Sequence, residues 1–418
     1  MHLLTDMKSL DPLLKDMDER RIVMLGEASH GTHEYYTWRT AISKRLIQEK
    51  GFRFIAVEGD WPDCYRINRY VKGYADAGTD VSAILKSFDR WPTWMWANWE
   101  VAALANWLRE YNSKLPLEKR VGFYGLDVYS LWDSMNTIMR YLEKEDRQTA
   151  ESVRKAISCF EPFNEDEHQY ARYSLTDHDC SNEVLAMLRE IRLKAQFLDG
   201  DIEAGFNTEQ NALIAVNAEK YYRSMIGFSN ESWNIRDTHM METLERLLEF
   251  HGVLSKGIIW EHNTHIGDAR ATDMARAGMV NIGQLARDHY GREQVYLAGF
   301  AGYRGTVIAG PEWGAPMQEM DVPEAREESI EAVLHNEYGR NCYILFSDKQ
   351  EEVFGMRIGH RAIGVVYHPG AERRGNYVPS ILPERYDALI YLDETSALHP
   401  LHMQPHDEKM PETYPFGI

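Results

Sequence analysis

The 418-residue sequence predicts an α/β protein with a mostly parallel central sheet flanked by helices and a large helical insertion or subdomain. Three observations predict it. Short apolar runs at 22–25, 54–57, 121–125 and 257–260 stop at glycine or polar residues, as buried parallel strands do. Long stretches of helical periodicity separate these runs, and parallel neighbours need such crossovers. From about residue 131 to 252 the helical period stands alone, with no strand-like run.

The elements follow in chain order. The strand at 22–25 leads into an amphipathic helix over 35–48, and the strand at 54–57 into another over 61–72. The insertion carries helical patterns such as Met135, Ile138, Met139, Leu142 and Val184, Leu188, Ile191, Leu193, with a polar break over 163–179. Strands resume at 257–260, 294–298, 342–346, 362–366 and 388–392 and complete the sheet. Residues 1–127 are read as the N-terminal half of the α/β core, 128–252 as the helical subdomain and 253–400 as the C-terminal half. Residues 401–418 read as a loosely held tail. Trp91, Trp94, Trp96, Trp99 and Trp107 crowd one segment and are expected mostly in the core, with a minority walling a cleft for a large apolar ligand.

Composition narrows the function. A chain that is 44% hydrophobic and 27% charged is globular rather than disordered. Its 65 acidic against 46 basic residues give a formal charge of -19, which repels phosphate backbones and anionic lipid. Neither nucleic acid nor membrane is expected as a partner, and a neutral or cationic small molecule fits better; the oligomeric state is left open. The N-terminus shows no basic segment followed by an apolar run, so a cytoplasmic location is expected. Cys64, Cys159, Cys180 and Cys342 lack paired spacing and read as packed thiols, with no disulfide framework and no zinc ribbon.

Chemistry is expected where the strands end. Glu27, Ser29, His30, His33 and Glu34 follow the first strand, Glu58 and Asp60 the second, Asp127 the third, and Glu261, His262 and His265 the strand at 257–260. Open α/β sheets bind ligands at this carboxyl edge. A single polar residue at such a turn is better explained by capping of the next helix, but four strand ends delivering ionisable groups are not. Common alternatives are missing: there is no Gly-x-Ser-x-Gly elbow, no P-loop and no His-Glu-x-x-His, and the glycine-rich segment 299–305 reads as a turn. The pairs His30/His33 and His262/His265 have no recognised metal context, so neither a metal nor another cofactor is expected. What remains is imidazole and carboxylate without a side-chain nucleophile, which points to water as the attacking group. His30 is the expected base, Glu27 or Glu58 its orienting carboxylate, and an imidazole of the 262–265 segment or an arginine the group that polarises the carbonyl.

The segments 25–34, 56–61, 125–131, 234–240 and 260–265 together resemble the erythromycin (macrolide) esterase family, in order and position, from about residue 20 to 395. The resemblance implies a metal-independent hydrolase of an ester or lactone in which His30 activates water, supported by Glu27, Glu58 and the imidazoles His262 and His265, with the choice between these two for the second catalytic role left open. His33, Asp60, Arg66, Asp127, Arg236 and Asp237 are assigned to substrate binding. For Arg236 and Asp237 a capped helix with a local ion pair is an equally good reading, and Arg66 on a helix face is ordinarily solvated. A metal-dependent hydrolase and a non-catalytic binding protein on the same fold are the alternatives. The family name does not fix the substrate.

Overall fold

The computed structural model describes residues 1–174, 179–194, 201–225, 230–346 and 354–416. The chain divides into two units, one of Met1–Val57, Arg66–Tyr124 and Leu254–Ile418, the other of Glu58–Tyr65 and Gly125–Val253.

The first unit is organised on a nine-stranded sheet. Its spatial order is β1 (His2–Leu3), β8 (Cys342–Leu345), β11 (Ala388–Thr395), β6 (Val295–Ala309), β2 (Ile22–Leu25), β5 (Gly257–Trp260), β3 (Phe54–Asp60) and β4 (Gly122–Asp127), with β7 (Gln318–Val322) paired to β6. Strands β11, β6, β2, β5 and β3 are parallel. The pairings of β8 with β11, β1 with β8 and β7 with β6 are antiparallel. Every residue of β2 and β5 is buried, which is why both read as unbroken apolar runs. Leu25 of β2 and Val57 of β3 both pair with Trp260 of β5, so the three strands are in step where the polar segments begin. The helix His33–Lys50 follows β2 and ends at Gly51, whose φ of 72° closes the helix in the left-handed conformation.

Several sequence expectations change here. The segment 299–305 is no turn but the middle of β6, which runs for 15 residues. Glycine is needed there because the Tyr386 ring lies where a side chain on Gly299 would be. The strand expected at 362–366 lies earlier, as β9 (Ile358–Arg361), paired with β10 (Tyr377–Ser380) in a separate ribbon. Ile363 and Val366 make only isolated bridges, to Ser29 and Gly310. The segment after Leu401 is held rather than loose: Leu401 is buried, the indole of Trp99 donates to the His406 carbonyl and the Asn106 amide to the Tyr414 hydroxyl.

The second unit is helical, with Leu131–Glu145, Arg147–Phe160, Glu167–Ser174, Ser181–Lys194, Ala204–Ser224 and Glu231–Phe250. Leu131, Met135, Ile138 and Leu142 form one buried stripe, and Val184, Leu188 and Ile191 another, against Ala212, Ala215 and Ala218 of the long helix. Leu193 does not join them and is exposed, because two residues beyond Ile191 the helix has turned its side chain away. Of the polar break at 163–179, residues 167–174 are helical and 175–178 lie outside the described residues.

The reading of all four cysteines as free thiols is corrected. Cys159, at the end of one helix, and Cys180, just before another, form a disulfide across a sequence separation of 21, a pairing that packing creates and local spacing does not announce. Cys64 and Cys342 are free and buried. The disulfide removes the cysteine argument for a reducing compartment. Among the described residues, no helix is long and apolar enough to cross a membrane.

Candidate active site

In the first unit the end of β2 sets the geometry. Gly26 donates its N–H to Ala298 of β6, and a Cβ on it would overlap the Asn263 side chain. That closeness is used. Asn263 donates its amide to the Phe300 carbonyl at 2.7 Å, accepts from the Phe300 N–H at 3.1 Å, and its backbone N–H bonds Glu27 O at 2.9 Å. One buried asparagine thus ties the loop after β2, the segment after β5 and β6 together, and fixes the histidines on either side of it.

Within this frame Glu27 Oε1 lies 2.9 Å from His30 Nδ1, and Glu27 Oε2 accepts from Arg39 Nη2 at 2.6 Å. Glu27 is 1% exposed, His30 7% and Arg39 fully buried. The guanidinium lies over the rings of Tyr36, at 4.4 Å, and Trp260, at 4.7 Å, and the Trp260 indole is held by Ser43. Sequence reasoning missed Arg39. The available signal was its spacing: Tyr36, Arg39 and Ser43 share the buried face of the helix, where a cation needs a carboxylate partner.

The ring of His262 stands 4.9 Å from that of His30. His262 also caps the short helix Asn263–Ile266, its Nδ1 accepting from the Thr264 N–H, with the Thr264 hydroxyl 2.8 Å away. A nitrogen that accepts an N–H carries no proton, so neutral His262 bears its proton on Nε2. His30 is the reverse: Nδ1–H is directed at a carboxylate and the lone pair is on Nε2. Two adjacent imidazoles therefore offer opposite functions, one a base and the other a donor. His265 is buried in the same short helix. His360, also missed from sequence, lies behind it with Nε2 3.1 Å from both the Asn263 amide and the Phe300 carbonyl, and burial, reinforced by Arg385, pushes its pKa well down.

The other expected residues are distributed differently. In the second unit Arg236 joins Glu58 and Asp127: Nη2 is 2.7 Å from Glu58 and 2.6 Å from Asp127, and Nε 2.9 Å from Asp127. Burial opposes the charge of Arg236, and Asp127 with Glu58 more than restores it, so its pKa is raised. Asp237 is fully buried on the same helix, and Asp60 ends β3. Arg66 sits on an exposed face, bonded to the Ser87 hydroxyl at 2.9 Å. His33 is bonded to Glu100 at 2.6 Å.

Comparison with known proteins finds relatives along most of the chain. A family model described as erythromycin esterase matches residues 47–395, a span that begins after Glu27 and His30. The erythromycin esterase type II of Escherichia coli is 23% identical over 366 residues, covering 82% of this chain and 84% of its own. Among solved structures, a succinoglycan biosynthesis protein superimposes with a TM-score of 0.77 at 18% identity over 95% of both chains. A mutant of the erythromycin esterase EreC in its open conformation gives 0.66 at 14% identity, covering 94% of this chain and 95% of its own. At these identities the solved structures share the fold alone.

Proposed function

The chain belongs to the erythromycin esterase family, and from that premise we propose that it hydrolyses an ester or lactone of a small molecule with water activated by His30. The observation that carries the reading is the opposed hydrogen bonding of two neighbouring imidazoles, His30 with Nδ1 facing the Glu27 carboxylate and His262 with Nδ1 accepting from the Thr264 N–H. Nε2 of His30 takes a proton from water as the oxygen attacks the carbonyl carbon. Nε2–H of His262 donates to the oxyanion that forms. The imidazolium of His30, stabilised by Glu27, then returns the proton to the departing alkoxide, leaving an acid and an alcohol, or one hydroxy acid from a lactone. No metal takes part in this scheme. His265 supports His262 from the same short helix.

The test is a hydrolysis screen of lactones, erythromycin among them, and acyl esters, with the wild-type protein and His30→Asn side by side. The variant is expected to lose about 10²–10⁴-fold in kcat while ligand affinity stays within about tenfold. A wild-type protein that binds such compounds and turns none over is a binding protein. Turnover that survives His30→Asn removes His30 as the base.

A further inference from the structure

A second constellation lies apart from the bond-breaking histidines. Glu100, in the first turn of the helix Trp99–Asn112, has Oε1 2.6 Å from His33 Nδ1 and 2.6 Å from His399 Nδ1. The two imidazoles stand edge to face with centroids 5.2 Å apart, and the ligand atoms of all three residues lie within 4.8 Å of one another. Glu100 is 1% exposed, and its second oxygen, Oε2, is buried without a hydrogen-bond partner among the described residues. A buried carboxylate oxygen left so loses the hydrogen bonds it had in water and gets none in return. The rings of His406 and Phe416 pack against His399 at 4.8 and 5.3 Å.

We propose that His33, Glu100 and His399 form a binding site for a divalent cation of the Zn²⁺ type. Two imidazole nitrogens and one carboxylate are a donor set suited to a borderline-soft tetrahedral ion, with the fourth position left for water. Bonds of about 2.0–2.1 Å to such an ion set its ligands about 3.3 Å apart, so the two imidazoles need to withdraw from Glu100 by less than about 1 Å. The cation replaces the two protons now shared with Oε1 and brings charge to Oε2. Both imidazoles keep some solvent exposure, 18% for His33 and 23% for His399, which gives an ion its way in.

The site serves as a brace. The backbone around it is already knit, His33 N–H to Ser396 O at 2.8 Å, Leu398 N–H to Gly31 O at 3.0 Å and Trp99 N–H to His399 O at 3.1 Å. The ion adds a side-chain clamp on the loop that carries His30, three residues before His33.

The test is a competition titration of chelator-stripped full-length protein with Zn²⁺ against a chromophoric indicator, alongside melting curves with and without Zn²⁺. Wild type and His30→Asn are expected to take up the same tight equivalent and to melt higher with it. Glu100→Gln and His399→Gln are expected to lose both effects, and because His399 is partly exposed, His399→Gln keeps the fold and the comparison stays valid should Glu100→Gln unfold. Absence of a stoichiometric equivalent in wild type overturns the proposal. So does an equivalent that persists in His399→Gln, or one that disappears in His30→Asn.

Discussion

Glu27 Oε1 sits 2.9 Å from His30 Nδ1 in a setting nearly closed to solvent, so the carboxylate decides which nitrogen of the imidazole holds the proton. Glu27→Gln tests that decision. The amide must turn its oxygen to Arg39 and therefore its NH2 to His30, which forces the proton onto Nε2 and removes the base. A fall in kcat of about 10²–10⁴-fold, with KM changed only a few-fold, is expected in steady-state kinetics on any ester the wild type cleaves. A variant with unchanged kcat contradicts the tautomer argument.

Arg39 is predicted to matter for folding through the same carboxylate. Replacing it with Met leaves Glu27 charged and buried beside two aromatic rings, at a cost of about 3–5 kcal/mol. In the double variant Glu27→Gln/Arg39→Met much of that loss is recovered. Urea denaturation of the four proteins measures the coupling, and strictly additive losses refute it.

Gly26 and Asn263 form a matched pair. Gly26→Ala drives a methyl group into the Asn263 side chain and is expected to destabilise by about 1–3 kcal/mol. It also disturbs the segment that carries His262, so kcat falls with it. In an Asn263→Ala background the added methyl has room, and its extra cost in melting temperature shrinks; an undiminished cost rejects the pairing.

His239 predicts an acid limit for the helical unit. Burial pulls its pKa down to about 4 from 6.5, Asp127 countering in part, and Asn217 donates to Nδ1 at 2.9 Å, which suits a neutral ring. Between pH 4 and 6.5 the unfolded chain binds the extra proton, so this contribution is complete above 6.5 and is lost as pH falls toward 4. The loss amounts to at most about 3 kcal/mol. Denaturant titrations across that range are expected to slope less steeply for His239→Gln.

The sheet was legible wherever burial on both faces left an apolar run, and β2 and β5 have the bounds their residues suggest. It was illegible in β6, where Tyr386 presses on the backbone and demands glycine, a residue that in isolation signals a turn. The contact of Glu27 with His30 was legible because the two are three residues apart. Arg39 was hidden because its partner is twelve residues away on another element, and only the packing of helix on strand joins them. Likewise Glu100 and His399 are nearly three hundred residues apart, and no local spacing reports that they meet.

The covalent link between Cys159 and Cys180 closes a loop inside the helical unit alone. By chain entropy such a closure is worth about 3 kcal/mol, so thiol reagents added for routine storage would soften the helical unit and leave the other one untouched. Batches made in hosts of different redox poise would then share a sequence and a mass within two hydrogens, yet differ in how readily proteases open the described helices of that unit.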